Sequence, residues 1–285
     1  MSRPLRPPSN QPALPRAERE FGVPIPGVIL PSEQWARTAI KKLPPPGPLD
    51  WTAIFGREAP VVIDLGCGNG RFTLWSALSR PDCNHFAVDI LPVVVRYATR
   101  RANQRGLSNV RVAVIGGREL LRDYVAVGSV AEIHCYHPQP YYEPREIPLR
   151  LIAPEFLAMV HRALSPGGLF VLQTDNPAYA RYMRSVLPAF FTVEEVPGRW
   201  PDTPQGRTRR EIIAIKENLP VFRSLCRRND ALTAADIVKL LTKLPLPTFD
   251  ADRRLQKLDA IEREGNSRSA RSRPANGRPR RDRHA

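Results

Sequence analysis

The sequence has few cysteines and no long apolar run, and both absences limit what the protein can be. The four cysteines in this chain of 285 residues form no CxxC pair, which excludes a zinc ribbon or a disulfide scaffold and fits a reducing compartment. No apolar stretch approaches the roughly 20 residues of a membrane helix, and residues 1–20 lack the apolar core of a secretory signal. We therefore expect a cytoplasmic protein with no membrane partner.

Acidic residues and histidines are also scarce. The chain has 28 Asp and Glu against 43 Lys and Arg, a formal net charge of +15, and it has five histidines. His134, His137 and His161 are too scattered along the chain to predict a metal site, so we expect no bound metal. A positive charge of this size favours a polyanionic partner, with nucleic acid as the first candidate.

Proline is abundant, and its distribution indicates where the globular part of the chain begins. Residues 1–50 contain twelve of the 31 prolines, which predicts a largely extended or irregular N-terminal extension. Residues 51–223 alternate apolar runs with helical patterns, and residues 224–264 are predicted to be a helical extension. Residues 265–285 form a basic tail with almost no apolar side chains to bury, which predicts disorder. The sequence does not indicate an oligomeric state.

The middle part of the chain repeats a strand–helix pattern. Buried-strand patterns alternate with helices that have clear end signals, such as SPGG at 165–168 after a predicted helix over Pro148–Leu164. Such repeats predict an α/β fold, in which an open, mostly parallel sheet carries helices on both faces. The predicted strands are Ala59–Leu65, His85–Ile90, Val110–Ile115, Val130–His137, Leu169–Thr174, Thr192–Val196 and Glu211–Glu217.

Three shorter helices are predicted outside this sheet. One extends from a cap at Ser32 to Lys42. A second begins with the capping-box pattern of Thr233 and Asp236. A third has a cap at Asp250 and an apolar stripe made by Leu255, Leu258 and Ile261.

The glycine-rich turn after the first predicted strand is the most informative segment. Gly66, Gly68 and Gly70 follow Asp64 at alternate positions, so the backbone can turn sharply and a ligand can approach it closely. The spacing differs from a dinucleotide GxGxxG, and no Lys-Ser/Thr pair follows as in a P-loop. The segment resembles motif I of the class I S-adenosylmethionine-dependent methyltransferases, which implies a Rossmann-like fold and S-adenosyl-L-methionine as cofactor. The resemblance places Asp64 near the cofactor's amino group, and Asp89, at the end of the second strand, on its ribose hydroxyls.

The turn after the third predicted strand is less specific. Many such enzymes have an acidic residue there for the adenine amino group, whereas this chain has Gly116 and Gly117. Their backbone groups could contact adenine, and Ile90 could pack on its face. A plain structural turn explains the two glycines equally well.

A second set of motifs concerns the substrate. HPQPYY at 137–142 follows the fourth predicted strand, Thr174 and Asp175 end the fifth, and DTP follows at 202–204. In this order the motifs resemble those of the tRNA (guanine-N7)-methyltransferase family, over about residues 55–223. The resemblance implies tRNA as partner and methyl transfer to N7 of a guanine, in the variable loop as in the family.

The same resemblance implies roles for individual residues. Gln139 stands where the family has an acid in a PDPW loop, and Asp175 is the retained acid, so both are candidate catalytic residues. Tyr141 replaces the family's tryptophan and is a candidate for stacking on an extruded base. Arg145 is a candidate phosphate contact, and Thr203 begins a T-x-x-E pattern that here lacks its acid. With Asp175, these three residues are the predicted substrate-binding set.

Two alternatives remain open from the sequence. The HPQPY segment is also similar to an altered (D/N)PP(Y/F) loop of amino-group methyltransferases, although His137 is a poor substitute for the hydrogen-bond acceptor at its first position. An amino-group methyltransferase or another RNA methyltransferase is therefore one alternative. The missing acids at Gln139 and Gly206 also allow a catalytically weakened RNA-binding protein with a methyltransferase fold. In each RNA-binding case, the arginines of 144–150 and of the tail are expected to bind phosphates.

Overall fold

The computed structural model describes residues 18–261, which form an open sheet flanked by helices. The disorder expected for residues 265–285 lies outside this range. The strands are β1 (Arg19–Glu20), β2 (Val23–Pro24), β3 (Ala39–Ile40), β4 (Val61–Leu65), β5 (Asn84–Asp89), β6 (Val110–Val114), β7 (Val130–Tyr136), β8 (Leu164–Thr174), β9 (Phe191–Glu195) and β10 (Phe222–Arg228). The α-helices are α1 (Trp51–Phe55), α2 (Arg71–Ser79), α3 (Pro92–Gln104), α4 (Gly117–Asp123), α5 (Pro154–Ala163), α6 (Pro177–Val186), α7 (Arg209–Lys216) and α8 (Ala234–Lys243), and a helical turn follows over 256–261.

The central sheet has eight strands in the order β3-β6-β5-β4-β7-β8-β10-β9. Neighbours from β3 through β8 are parallel, whereas β10 runs antiparallel to both β8 and β9. The predicted α/β fold with an open, mostly parallel sheet is therefore confirmed. Because the chain crosses from β6 at one side to β7 at the other, a crevice lies at the carboxyl ends of the central strands.

Helices cover both faces of the sheet, and the alternation of side chains along β5 shows it. Phe86 and Val88 are buried in a large core with α4, α5 and α6, whereas Ala87 between them is buried in a second core with α2 and α3. Successive side chains of a strand point to opposite faces, so these cores lie on opposite sides of the sheet. Both faces are buried, which explains the nearly continuous apolar runs of the central strands.

The prediction of a strand over Glu211–Glu217 is wrong, because this segment belongs to helix α7. The Thr208 side chain accepts a hydrogen bond from the Glu211 backbone N–H (3.1 Å), and the Glu211 carboxylate accepts one from the Arg207 backbone N–H (2.7 Å). This reciprocal capping starts a helix whose apolar residues are buried. The strand that completes the sheet is β10, in a region expected to be helical.

The helix predicted from Ser32 to Lys42 is also wrong. The chain forms only a short 3-10 turn at Ser32–Gln34 and then extends into β3. The side chain of Asn103 accepts hydrogen bonds from both the backbone N–H and the hydroxyl of Thr38, each at 2.9 Å. These contacts hold the segment in an extended form beside β6.

The two predicted C-terminal helices are present, with one change of cap. The capping box of Thr233 and Asp236 starts α8 as expected. A 3-10 helix at Arg253–Leu255 leads into the last helical segment. It is capped by Asp252, which accepts a hydrogen bond from the Arg254 backbone N–H (3.1 Å), and not by Asp250. Among residues 18–261, no helix is long and apolar enough to cross a membrane.

Two further boundaries shift relative to the sequence. Helix α5 begins at Pro154 and not at Pro148, because a 3-10 helix occupies Pro144–Leu149. The domain boundary expected at residue 223 falls inside β10, which pairs with β8 over six residue positions. The structure therefore continues the sheet into the C-terminal extension.

Candidate active site

The carboxyl ends of the parallel strands bring most of the predicted site residues to one edge of the sheet. The glycine-rich turn follows β4, Asp89 ends β5, and Gly116 follows β6. The loop at 137–142 follows β7, and Asp175 directly follows β8. Since these strands are adjacent and parallel, their carboxyl ends lie along one edge of the sheet.

The three positions of the turn require glycine for different structural reasons. All three have positive φ: +74° at Gly66, +53° at Gly68 and +83° at Gly70. A Cβ at Gly70 would lie 2.9 Å from the Cβ of Ala98, so this glycine allows α2 and α3 to pack. A Cβ on Gly66 or on Gly68 would have no neighbour within 4 Å among residues 18–261, so both glycines face open space. These two glycines therefore leave a backbone cradle accessible to a ligand.

Asp89 shapes the other side of this cradle. Its carboxylate accepts hydrogen bonds from the backbone N–H groups of Gly68 (3.0 Å) and Leu91 (2.9 Å). Burial raises the pKa of Asp89, and these backbone hydrogen bonds oppose the rise. Ile90 is 63% exposed although it is apolar, and its side chain lies 3.6 Å from the position of a Cβ on Gly116. An exposed apolar side chain beside a glycine turn provides a surface for a flat ring.

Gly117 lies next to the end of β4. It is the first residue of α4, and a Cβ there would lie 3.4 Å from the Leu65 side chain. This is an ordinary van der Waals distance, so packing alone does not require a glycine at this position.

Asp64 lies at the base of the cradle and is buried. The Thr73 hydroxyl donates a 2.5 Å hydrogen bond to its carboxylate. Burial raises the pKa of Asp64 to about 7, and the Thr73 hydrogen bond only partly opposes this rise. A cationic group bound nearby would favour the ionised carboxylate.

The N-terminal segment supplies a part of the site that the sequence does not predict. Within the proline-rich extension, β1 and β2 form a hairpin, and the buried carboxylate of Glu20 accepts a hydrogen bond from the Asn69 side-chain amide. Arg101 donates to Glu20 (2.9 Å) and to the Asn69 carbonyl (3.0 Å). The glycine-rich turn is thus fixed by a buried ionic network, and Glu20 is a charged residue in a segment whose composition predicts irregular structure.

The loop at 137–142 leaves β7 through an unusual backbone. His137 and Tyr141 both have positive φ (+52° and +43°), which is uncommon for residues with a Cβ. The His137 backbone N–H donates to the Gln173 carbonyl of β8 (2.7 Å). Gln139 is exposed, and the described residues include no hydrogen-bond partner for its side chain. It is therefore available to a substrate.

Arg150 holds the loop at 137–142 in place. The sequence predicts that the arginines of 144–150 bind phosphate, but Arg150 is buried in the protein. Its buried guanidinium donates to the carbonyls of Pro140 (2.5 Å) and Tyr141 (2.8 Å) in the loop, and of Pro247 (2.5 Å) and Phe249 (2.7 Å) in the C-terminal extension. It also lies 3.9 Å from the centre of the Phe249 ring. The prediction that Arg150 binds phosphate is wrong because its guanidinium N–H groups already donate to these buried carbonyls.

Arg145 and Tyr142 behave differently from Arg150. Arg145 is exposed in the 3-10 helix that follows the loop, with no ion pair among the described residues. Tyr142 is half-buried, and its carbonyl accepts a hydrogen bond from Arg253 (3.1 Å). Tyr142 thus anchors the loop, whereas Arg145 is free for an external anion.

Asp175 is buried in an ionic network rather than free at the surface. Its carboxylate lies 2.6 Å from Arg210 and 3.4 Å from His137, and Arg210 is also 2.6 Å from Asp259 in the last helical segment. Burial alone would raise the pKa of Asp175, but His137 and Arg210 outweigh it and hold the pKa well below its usual range. Much of the charge of Asp175 is therefore compensated within the protein.

The turn that contains Thr203 explains the missing acid of the T-x-x-E pattern. The Gly206 backbone N–H donates to the Thr203 carbonyl (2.9 Å), and Gly206 has φ +112°. A Cβ there would lie 3.1 Å from the Ile212 backbone nitrogen, so glutamate does not fit this backbone. The adjacent Arg207 lies 3.7 Å from the centre of the Trp200 ring, a contact that no local sequence signal predicts.

Comparison with known proteins shows which family the chain belongs to. A model of the family described as "Putative methyltransferase" matches residues 58–223. A curated tRNA (guanine-N(7)-)-methyltransferase of Methylococcus capsulatus is 34% identical over 168 residues, covering 58% of this chain and 73% of that protein. The chain belongs to the tRNA (guanine-N7)-methyltransferase family.

Other relatives carry the same name but are matched over less of their length. The protein of an Arthrobacter species is 34% identical, with 61% of this chain and 57% of that protein covered. The protein of Bordetella pertussis is 37% identical, with 50% and 56% covered. The chain thus spans little more than half the length of these two relatives. Among solved structures, a probable spermidine synthase of Corynebacterium glutamicum covers 79% of this chain and 75% of its own, with 16% identity and a TM-score of 0.46, which supports no conclusion about function.

The family match leaves out two segments that contribute to the site. The hairpin bearing Glu20 precedes residue 58, and the residues that contact Arg150 and Arg210 include Phe249 and Asp259, beyond residue 223. Within residues 18–261, no group of three or more His, Cys, Asp or Glu side chains could hold a metal ion. The site is therefore built from the methyltransferase core and its two extensions together.

Proposed function

We propose that the protein transfers a methyl group from S-adenosyl-L-methionine to N7 of a guanine in tRNA. The observation that carries this proposal is the open cradle at Gly66 and Gly68, between the carboxylates of Asp64 and Asp89, in a chain of this family. The cofactor would supply an electrophilic methyl group on a sulfonium. Asp64 would face its amino group, Asp89 its ribose hydroxyls, and Ile90 its adenine ring.

The remaining site residues suit a reaction that needs no proton removal. Guanine N7 presents a lone pair in the major groove and carries no hydrogen, so a general base is unnecessary. Holding the base in line with the methyl donor supplies much of the rate gain. Gln139 would orient the base through its amide. Asp175 would offset the positive charge of the product, although its pairing with Arg210 reduces this effect.

Substrate contacts are proposed around this centre. Tyr141 would stack on the base, Arg145 would bind a phosphate, and Thr203 would contact the nucleotide at the rim. With tRNA as substrate, the cytoplasm is the proposed location. The decisive experiment incubates the protein with labelled cofactor and bulk tRNA and identifies the methylated nucleoside; a labelled nucleoside other than 7-methylguanosine would contradict the proposal.

A change at Gln139 tests the proposed catalytic centre. Because Gln139 is exposed and has no hydrogen-bond partner within residues 18–261, Gln139→Asp should leave the fold intact. The new carboxylate would stabilise the positive charge that develops on guanine, so we expect a single-turnover rate about tenfold higher, within the ~3 kcal/mol available to such groups. Gln139→Ala serves as the control and should not increase the rate. A slower Gln139→Asp variant would mean that the amide itself suits this substrate.

The pH dependence of cofactor binding tests the role of Asp64. Its pKa is raised to about 7, so the carboxylate must lose a proton before it can face a cationic amino group. We expect affinity for S-adenosylhomocysteine, measured by calorimetry, to rise by up to about tenfold per pH unit below this pKa and to level off above it. Asp64→Asn should bind weakly and without this pH dependence, whereas Asp89→Asn should bind weakly and retain it. An unchanged pH profile in Asp64→Asn would remove Asp64 from the cofactor site.

A weakened, RNA-binding member of the family is the second candidate. It is favoured by the exposed Gln139 in the place of the family's acid and by Gly206, whose backbone excludes glutamate. Binding of tRNA without labelled 7-methylguanosine would support this alternative.

A further inference from the structure

A groove runs along α3, on the side of the sheet occupied by β6 and β3 and far in strand order from the loop at 137–142. It contains about 380 Å³ of space between α3 and the edge strand. The helix contributes one face, from Pro92 to Asn103, a length of about 16 Å. We call it the α3 groove; the lining residues that matter here are Trp35, Lys41, Arg96, Arg100, Val112 and Val114.

The charge of the α3 groove has one sign. Lys41, Arg96 and Arg100 line it, and its lining includes no carboxylate. Arg100 lies 3.8 Å from Glu18, whereas Lys41 and Arg96 are exposed and have no ion pair among residues 18–261. The local charge therefore complements an anionic chain.

An aromatic ring and an apolar floor accompany these cations. The Trp35 indole N–H donates to the Leu30 carbonyl (2.8 Å), so its polar atom is satisfied while the side chain remains 44% exposed. Val114, an apolar residue at the end of β6, is 46% exposed in the same groove. Double-stranded RNA offers mainly phosphates and hydroxyls, whereas single-stranded RNA also offers base faces for stacking.

We propose that the α3 groove binds a single-stranded segment of RNA, with a base against Trp35 and phosphates at Lys41 and Arg96. The proposal rests on the proposed function, since tRNA is then the RNA that brings such a segment. The groove begins at Pro92, close in sequence to Asp89, so RNA in it would approach the cofactor-binding edge of the sheet. It would add a second contact area to the one at Arg145 and Tyr141.

The test measures binding of a fluorescein-labelled oligouridylate to the full-length protein by anisotropy. Saturating S-adenosylhomocysteine is present to fill the adenosine site, and uridine avoids recognition of adenine there. We expect Lys41→Glu/Arg96→Glu to weaken binding at least tenfold and to reduce the slope of log K against log salt by about 1.4, for two lost phosphate contacts. The control, Lys239→Glu/Lys243→Glu on α8, makes the same change in net charge at exposed positions and should change affinity less than about threefold.

Trp35 provides an independent measurement. Wild-type tryptophan fluorescence should be quenched by the oligonucleotide, and most of this quenching should disappear in Trp35→Phe. Since phenylalanine can still stack, this variant should retain affinity within about threefold, whereas Trp35→Ala should lose about tenfold or more. Full quenching in Trp35→Phe would overturn the stacking contact.

Several outcomes would overturn the groove proposal. Equal weakening in both double variants would indicate non-specific attraction, and release of the oligonucleotide by S-adenosylhomocysteine would make the groove part of the adenosine site. If the full-length protein does not bind the oligonucleotide but a protein lacking residues 1–17 does, that segment of the chain, and not RNA, would be the occupant of the groove. Methyl transfer to tRNA separates the two proposals. A wild-type protein that binds oligouridylate but does not methylate guanine contradicts only the proposed function. A Lys41→Glu/Arg96→Glu enzyme with unchanged methyl transfer and unchanged oligouridylate binding contradicts only the groove proposal.

Discussion

Replacement of Arg150 by methionine is expected to lower the free energy of unfolding by about 4 kcal/mol and the rate of methyl transfer by about a hundredfold. The guanidinium supplies donors to four carbonyls, two in the loop at 137–142 and two in the C-terminal extension. An unpaired buried carbonyl costs ~1–3 kcal/mol, and the variant leaves several. A loop displaced by about 1 Å is sufficient for a hundredfold loss of rate. Urea denaturation and single-turnover kinetics measure the two effects.

Arg145→Met is the matched control for this prediction. Arg145 lies in the same segment but is exposed, so its replacement should change the free energy of unfolding by less than about 0.5 kcal/mol. If it binds phosphate as proposed, the KM for tRNA should rise while kcat is maintained. Arg150→Lys, which retains the charge but not the planar set of donors, should fall between wild type and Arg150→Met. Wild-type stability in Arg150→Met would show that the loop does not depend on this side chain.

Replacement of Asp175 by asparagine is expected to destabilise the protein by about 2–3 kcal/mol, because it removes one of the two carboxylates that pair with the buried Arg210 guanidinium and leaves Asp259 as the other. Asp202→Asn is the control: Asp202 pairs with Arg207 at the same 2.6 Å but is partly exposed, so the loss should be about 1 kcal/mol or less. Chemical denaturation of the three proteins gives the comparison. Equal losses in both variants would contradict the importance of burial.

The loss of stability at acid pH tests whether the pKa of Asp175 is lowered in the folded protein. Because His137 and Arg210 lower the pKa of Asp175 in the folded state, its contribution is complete above the unfolded pKa of about 4 and is lost as the pH falls toward the lower folded value. Wild type should therefore lose stability more steeply than Asp175→Asn below about pH 4. Parallel curves would mean that Asp175 has an ordinary pKa in the folded protein.

Local patterns in the sequence were sufficient for the core of the fold and for the backbone cradle of the glycine-rich turn. Strand β4, the turn at 64–70 and Asp89 are close together along the chain, and their geometry follows from apolar alternation and glycine placement. The capping box of Thr233 and Asp236 was predictable for the same reason. Each of these features depends on residues within a few positions of one another.

Short apolar segments were not decided by pattern alone. The run at 211–217 suits a strand or a helix equally well, and the reciprocal capping of Thr208 and Glu211 selected the helix. The extended chain around Thr38 depends on Asn103, 65 positions away in the sequence. Tertiary contacts override local preference when the segment is this short.

The sequence by itself determined the strand–helix alternation of the parallel part of the sheet, the positions of the cradle glycines and Asp89, and the excess of positive charge. Only the tertiary structure decided what individual arginines do. Arg101, Arg150 and Arg210 are buried on carboxylates or carbonyls that are distant in sequence, whereas Arg96 and Arg145 remain exposed. The physical reason is that a buried charge requires compensating partners, and which partners are within reach depends on how distant segments pack.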